Sequence, residues 1–120
     1  MRNVFIVDND KDLAGMIQQC VELDPAIKVI GKATDGENAL KDLEAIAADV
    51  ILVDLIMPNM DGFKFIEKLQ EVKAGKAVPR IIMISAFDNE GSKERSRQLS
   101  VEHFMTKPFD VQELIHHIKH

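Results

Sequence analysis

Apolar residues along the chain fall into two kinds of segment. Val4-Phe5-Ile6-Val7, Val50-Ile51-Leu52-Val53 and Ile81-Ile82-Met83-Ile84 are unbroken runs, each rich in β-branched residues. Such runs suit strands covered on both faces, as in a parallel sheet. Ile27-Lys28-Val29-Ile30 is broken by a lysine and predicts a strand nearer a sheet edge. Phe104-Met105 predicts a short fifth strand. Between the runs the period changes from two to about 3.6. Leu13, Met16, Ile17, Cys20 and Val21 make one helical stripe. Ala39, Leu40, Leu43 and Ile46 or Ala47 make a second, and Phe65, Ile66, Leu69 and Val72 a third. Val111, Leu114, Ile115 and Ile118 make a further stripe at i, i+3, i+4, i+7. Asp110, with Glu113 three residues on, supplies an acidic capping box for that last helix.

Strand and helix alternate throughout, which implies an α/β fold with helices on both faces of a parallel sheet. Right-handed crossovers narrow this to a doubly wound, five-stranded, flavodoxin-like sheet in the order 2-1-3-4-5. No repeat, low-complexity tract or linker interrupts it, so residues 1–120 are expected to form one domain. Residues 73–77, before Pro79, read as a surface loop.

Composition narrows the partners. Hydrophobic residues make up 46%, enough for a packed core. The net charge of −5 argues against this domain holding a nucleic-acid backbone. Cys20 is the only cysteine and falls on the first helical stripe, where a buried core thiol is expected. The chain shows neither a secretory leader pattern nor an apolar stretch of membrane-spanning length, so a cytoplasmic location is expected.

Ligand sites in open α/β sheets lie outside the carboxyl ends of the strands, where strand order reverses. Asp8-Asn9-Asp10 follow strand 1, Asp54 ends strand 3, Ser85-Ala86 end strand 4, and Thr106-Lys107-Pro108 end strand 5. The predicted order places Asp8 and Asp54 on neighbouring strands facing one pocket. Clustered carboxylates need a counter-charge. A hard divalent cation held by oxygen ligands and the ammonium of Lys107 would supply it, and Ser85 would donate to an incoming anion. Two carboxylates, a metal, a lysine and a hydroxyl suit a phosphoryl group, with a carboxylate as nucleophile. Each residue alone has an ordinary explanation. Asp10 or Asp12 would serve as a helix cap, Lys107-Pro108 as a turn, and Ser85 as a simple strand end. Their joint placement at four strand ends is what favours chemistry.

With those residues in view, the chain resembles the response-regulator receiver (CheY-like) family over essentially its whole length. Asp54-Leu55-Ile56-Met57-Pro58-Asn59-Met60-Asp61-Gly62 carries the likeness, with Asp8, Ser85-Ala86 and Lys107-Pro108-Phe109. The resemblance implies that Asp54 is the phospho-acceptor. It implies metal ligation by Asp8, Asp54 and the backbone carbonyl of Ile56, with Asn9 as a substituted ligand. Ser85 would move to the phosphoryl oxygen, Phe104 would be the switch aromatic, and Lys107 would contact the phosphoryl group. The Lys107-Pro108 bond would be cis. The cofactor implied is Mg²⁺, with Ca²⁺ or Mn²⁺ as other hard ions for the same oxygens. A histidine kinase or phosphotransferase would be the donor. Such a domain is not an enzyme beyond promoting its own phosphorylation and dephosphorylation.

Within the family, Ser85-Ala86-Phe87, Lys107-Pro108-Phe109-Asp110, Ile115-His116-His117-Ile118 and Val29-Ile30-Gly31 with Asp35-Gly36 resemble receivers of the stage-zero sporulation protein A type. Those precede a C-terminal DNA-binding output domain, so the likeness implies control of transcription at sporulation. This chain stops at His120, where a linker would begin, as a piece of a longer protein or a stand-alone receiver would. Homodimerisation on phosphorylation is a further expectation.

Two departures from the family pattern stand out. The second of two adjacent acids after strand 1 is normally a direct metal ligand, and here it is Asn9. Asparagine keeps an oxygen but loses a charge, so weaker Mg²⁺ binding is expected, unless Asp10 reaches the ion through a bulge. Residues 88–98 contain no large apolar side chain, and Ser100 stands where a glycine often ends the helix. A short, frayed or mobile fourth helix is expected, against the alternative of a simple solvated helix. Two other functions compete. One is a pseudo-receiver that has lost efficient phosphorylation through Asn9. The other is a haloacid-dehalogenase-like phosphatase, suggested by Asp8-Asn9-Asp10 and opposed by the absent Thr or Val two residues later and of a cap domain. His116 and His120, four apart, have the spacing to share a metal, but nothing else joins them, so both are expected to face solvent.

Overall fold

A computed structural model describes residues 1–86 and 89–120. Phe87, part of the sporulation-type likeness, and Asp88, the start of the polar stretch, lie outside the described residues. Five strands, β1 (Arg2–Val7), β2 (Ile27–Ala33), β3 (Val50–Asp54), β4 (Arg80–Ser85) and β5 (His103–Thr106), alternate with α1 (Lys11–Val21), α2 (Gly36–Ala45), α3 (Gly62–Val72), α4 (Glu90–Gln98) and α5 (Val111–Lys119). The strands are parallel and ordered β2-β1-β3-β4-β5, as the apolar pattern predicts. β3 lies at the centre and is buried at every residue, while the edge strand β2 alternates buried and exposed positions.

Side-chain alternation sorts the strands into two half-cores. Phe5, Val7, Ile51, Val53, Ile81 and Met83 pack against Ala39 and Leu43 of α2 and Phe65, Ile66 and Leu69 of α3. Val4, Ile6, Val50, Leu52, Ile82 and Ile84 pack against Ala14, Ile17 and Val21 of α1 and Leu114 and Ile118 of α5. Each buried Ile or Leu contributes about 1.5–3 kcal/mol, so both helical layers are held chiefly by these stripes.

The stripes are narrower than their periodicity implies. Met16 and Val72 are exposed, and Cys20 is only half-buried. The expectation of a core thiol is corrected: Cys20 lines an apolar groove between α1 and α5 with Leu13, Met16, Phe109 and Val111. The Lys107-Pro108 bond is cis, and both residues also line this groove.

The polar fourth helix is as short as expected. The helix forms over nine residues with defined ends. Asn89 caps it by accepting from the Ser92 N–H at 2.8 Å. At the other end Val101 N–H donates to Ser96 O at 2.9 Å and Ser100 N–H to Arg97 O at 3.1 Å. Those paired bonds are a Schellman turn, and Ser100 takes its left-handed position at φ 62°. The sequence argument misjudged where the attachment lies. Only Ser96 of α4 is buried, but Leu99 and Val101, just beyond the helix, pack against the α2–α3 half-core. On the outer side Arg95 pairs with Glu67 of α3 and lies 5.3 Å from the centre of the Phe63 ring. Polar and terminal contacts thus replace the apolar stripe. Among the described residues no helix is long and apolar enough to cross a membrane.

Candidate functional site

The carboxyl ends of β1, β3, β4 and β5 bring the predicted residues together. Asp8 follows β1 and is 3% exposed, and Asp54 ends β3 and is 7% exposed. Lys107, just past β5, reaches between them: its Nζ is 3.4 Å from Asp54 Oδ2 and 3.7 Å from Asp8 Oδ2. Strand pairing forces this convergence, because β1 and β3 are adjacent and the Lys107 N–H donates to Ser85 O at 2.7 Å. The other carboxylate oxygens are held by backbone. Asp8 Oδ1 accepts from Asp10 N–H at 2.9 Å and Asp54 Oδ1 from Ile56 N–H at 3.2 Å. Each acid therefore presents Oδ2 towards the lysine. Burial pushes the Asp8 carboxyl above its ordinary range; the Asp10 N–H opposes this, the Asp54 charge adds to it, and Lys107 opposes it.

Asn9 and Asp10 are both exposed. Asp10 caps α1, its Oδ1 accepting from the Asp12 and Leu13 N–H groups at 3.1 Å each. Its carboxylate is thus committed to the helix, and no bulge turns it towards Asp8. Asp12, the other capping candidate, lies within the first turn. Among the described residues no three of His, Cys, Asp and Glu converge as a ready metal site. Of the oxygen groups that the resemblance names for a metal, Asp8 and Asp54 converge on Lys107; Asn9 is exposed, and the Ile56 N–H donates to Asp54.

Ser85 is fully buried at the end of β4. It shares a sheet face with Ile81 and Met83, and in register it pairs with Thr106. Phe104, two residues before Thr106, lies on the same face, half-buried against the half-core that Leu99 and Val101 also join. A hydroxyl at the site and an aromatic beside the α4 turn thus sit on one face of adjacent strands.

Asp61 and Gly62 set the start of α3. Asp61 caps α3 by accepting from Lys64 N–H at 2.9 Å, and Gly62 N–H donates to Leu55 O at 2.8 Å. A Cβ on Gly62 would lie 2.8 Å from Asp54 O, so only glycine lets α3 begin against the backbone of Asp54. Sequence reasoning missed Lys11, Lys32 and Thr34, which line a cleft of about 250 Å³ beside Asp8. Lys32 and Thr34 flank the end of β2, the strand next to β1, and that adjacency was the available signal.

Residues 4–119 match the response regulator receiver domain family. The chain belongs to that family. Receivers of this family typically bind Mg²⁺, answer to a kinase or phosphotransferase, and generally are not enzymes in their own right. Among solved relatives, the receiver domain of Francisella response regulator 1452 is 28% identical with a TM-score of 0.87, over 99% of this chain and 94% of that one. The response regulator domain of Thermotoga maritima CheB is 26% identical with a TM-score of 0.87, over 99% and 94%. A protein-glutamate methylesterase/protein-glutamine glutaminase 2 of Koribacter versatilis is 39% identical over 107 residues, or 88% of this chain. The receiver spans 28% of that relative's length. The family match and these three relatives do not single out the sporulation type.

Proposed function

We propose that this receiver is a phosphorylation switch with Asp54 as the acceptor. One observation carries the reading: the Lys107 ammonium lies within 3.4 Å and 3.7 Å of two buried carboxylates at adjacent strand ends. Asp54 Oδ2 attacks the phosphorus of a phosphohistidine or small acyl phosphate. The new bond is O–P, the bond to the donor's nitrogen or oxygen breaks, and the leaving group takes a proton from solvent. Lys107 neutralises one phosphoryl oxygen, and the Ser85 hydroxyl donates to another. The donor set fits a hard ion: Asp8, Asp54, the Ile56 carbonyl and Asn9 offer oxygen only. Mg²⁺ bound there supplies charge neutralisation for the transferring group. Asn9 leaves that ligand set one charge short, which weakens the ion's hold.

Phosphorylation draws Ser85 towards the anion and lets Phe104 follow on the same sheet face, shifting a two-state equilibrium at the β5 and α4 surface. The location is the cytosol. The output is control of transcription at sporulation through a DNA-binding partner domain, on the likeness around Ser85, Lys107 and Ile115–Ile118, with homodimerisation of the phosphorylated form. The 39% identity to the methylesterase favours a second reading of the output, control of an esterase or glutaminase unit. The pseudo-receiver is the rival to phosphorylation itself. Uptake of a phosphoryl group from a small acyl phosphate with Mg²⁺, followed by phosphate-affinity electrophoresis, separates them. A shifted band in wild type and none in Asp54→Ala supports the switch; no shift in wild type, at any Mg²⁺ level, leaves the pseudo-receiver standing.

A further inference from the structure

All four histidines of the chain gather at the end of the sheet opposite the carboxylates. His103 opens β5, and His116, His117 and His120 close α5. Their rings form a chain. His103 stacks on His117 with centroids 3.7 Å apart and planes 19° from parallel. His117 meets His116 edge-on at 5.9 Å, and His116 lies 4.7 Å from His120 at 38°.

The first pair is explained by packing. Glu102 Oε1 lies 3.6 Å from His103 Nε2, and Glu113 Oε1 lies 3.4 Å from His117 Nε2. Arg80 forks onto Glu102 and donates to the carbonyls of His117 and Ile118, so this half docks the end of α5 onto β4. His116 and His120 differ. Both are exposed, they are one helical turn apart, and neither ring has a carboxylate partner among the described residues.

Distance separates stacking from chelation. Two imidazoles bound to one ion at roughly 2.0–2.1 Å, at tetrahedral or octahedral angles, hold their centroids roughly 4.5–5.2 Å apart. The spacing of 4.7 Å between His116 and His120 falls inside that span, and the 3.7 Å of the stacked pair falls outside. We propose that His116 and His120 form a two-imidazole site for a borderline divalent transition ion, Zn²⁺, Ni²⁺ or Cu²⁺, with water completing the coordination. Imidazole favours these ions, whereas carboxylate, carbonyl and water favour Mg²⁺. The site is therefore chemically distinct from the acidic pocket. Its ligands bind as neutral rings, so affinity falls as pH drops through the imidazole range.

Calorimetric titration of the 120-residue chain with NiCl₂, and separately ZnCl₂, tests this, with Mg²⁺ saturating the acidic pocket. The expected result is about one ion per chain, weakened at least roughly tenfold in His116→Gln and in His120→Gln. His103→Gln should bind as wild type does. No binding below about 1 mM ion overturns the proposal. So does binding that survives either substitution on α5, or that is lost with His103→Gln, since the last would place the ion at the stacked pair. Circular dichroism of each variant confirms that it is folded, and both α5 substitutions are at exposed positions.

Discussion

Ser100→Gly is expected to stabilise the receiver by about 0.5–1 kcal/mol. Ser100 closes α4 at φ 62°, with its N–H and that of Val101 bonded back into the last turn. Its side chain is exposed and makes none of the hydrogen bonds that hold the turn. A left-handed conformation costs an L residue roughly 1–2 kcal/mol, and glycine gives back about 0.5–1 kcal/mol in extra chain entropy lost on folding. The difference favours glycine. In a domain of this size it corresponds to a rise in Tm of about 2–5 °C. Thermal unfolding followed by circular dichroism measures it. Ser100→Ala is the control: alanine keeps the strain and the exposure, so its Tm should stay within about 2 °C of wild type. Hydrogen exchange gives a local reading. The α4 amides, held by Asn89, Arg95 and this turn instead of a buried stripe, should exchange faster than those of α5, and Ser100→Gly should narrow the gap. A Tm that falls or does not move, or α4 protection already equal to that of α5, would refute the reasoning.

Asn9→Asp restores a charge to the oxygen donors and should shift the Mg²⁺-dependent rise in Tm to concentrations lower by about tenfold, while speeding phosphorylation from a small donor; an unchanged Mg²⁺ midpoint contradicts this. Asp8→Asn should raise Tm without divalent ions by up to about 4 °C while blocking phosphorylation. Because the folded state holds the Asp8 proton more tightly than the unfolded chain, stability falls as pH rises from the ordinary carboxylate range upward, and the variant should flatten that fall. His103 behaves in the opposite sense: burial first, then the neighbouring His117, hold its pKa below the usual value. The unfolded chain therefore takes up the proton first as pH drops below about 6.5, stability declines there, and His103→Gln should shrink that decline; equal acid profiles would count against the stacked arrangement.

Fold and site were legible to different depths. Four-residue apolar runs announced the parallel strands because burial on both faces leaves no polar alternation. Strand order followed from connection rules, and order alone brought Asp8, Asp54, Ser85 and Lys107 to one edge. Helix faces were less legible. Periodicity marks Met16 and Cys20 as readily as Ile17, but it does not report that an apolar groove opens beside Phe109 at the α1–α5 seam. α4 was less legible because its attachments are non-local: Arg95 finds Glu67 and Phe63 on another helix, and Leu99 and Val101 lie past the helical window. Asp10 illustrates the reverse case, in which the ordinary reading as a helix cap was the right one.

The account rests most directly on the chemistry of Asp54. Treatment of the Mg²⁺ protein with a small acyl phosphate, reduction with borohydride and peptide sequencing by mass spectrometry reads the acceptor itself, since an aspartyl phosphate is reduced to homoserine. The account predicts homoserine at position 54 in wild type and at no position in Asp54→Ala. Homoserine at Asp8 or Asp10, or none in the wild-type protein at saturating Mg²⁺, would contradict it.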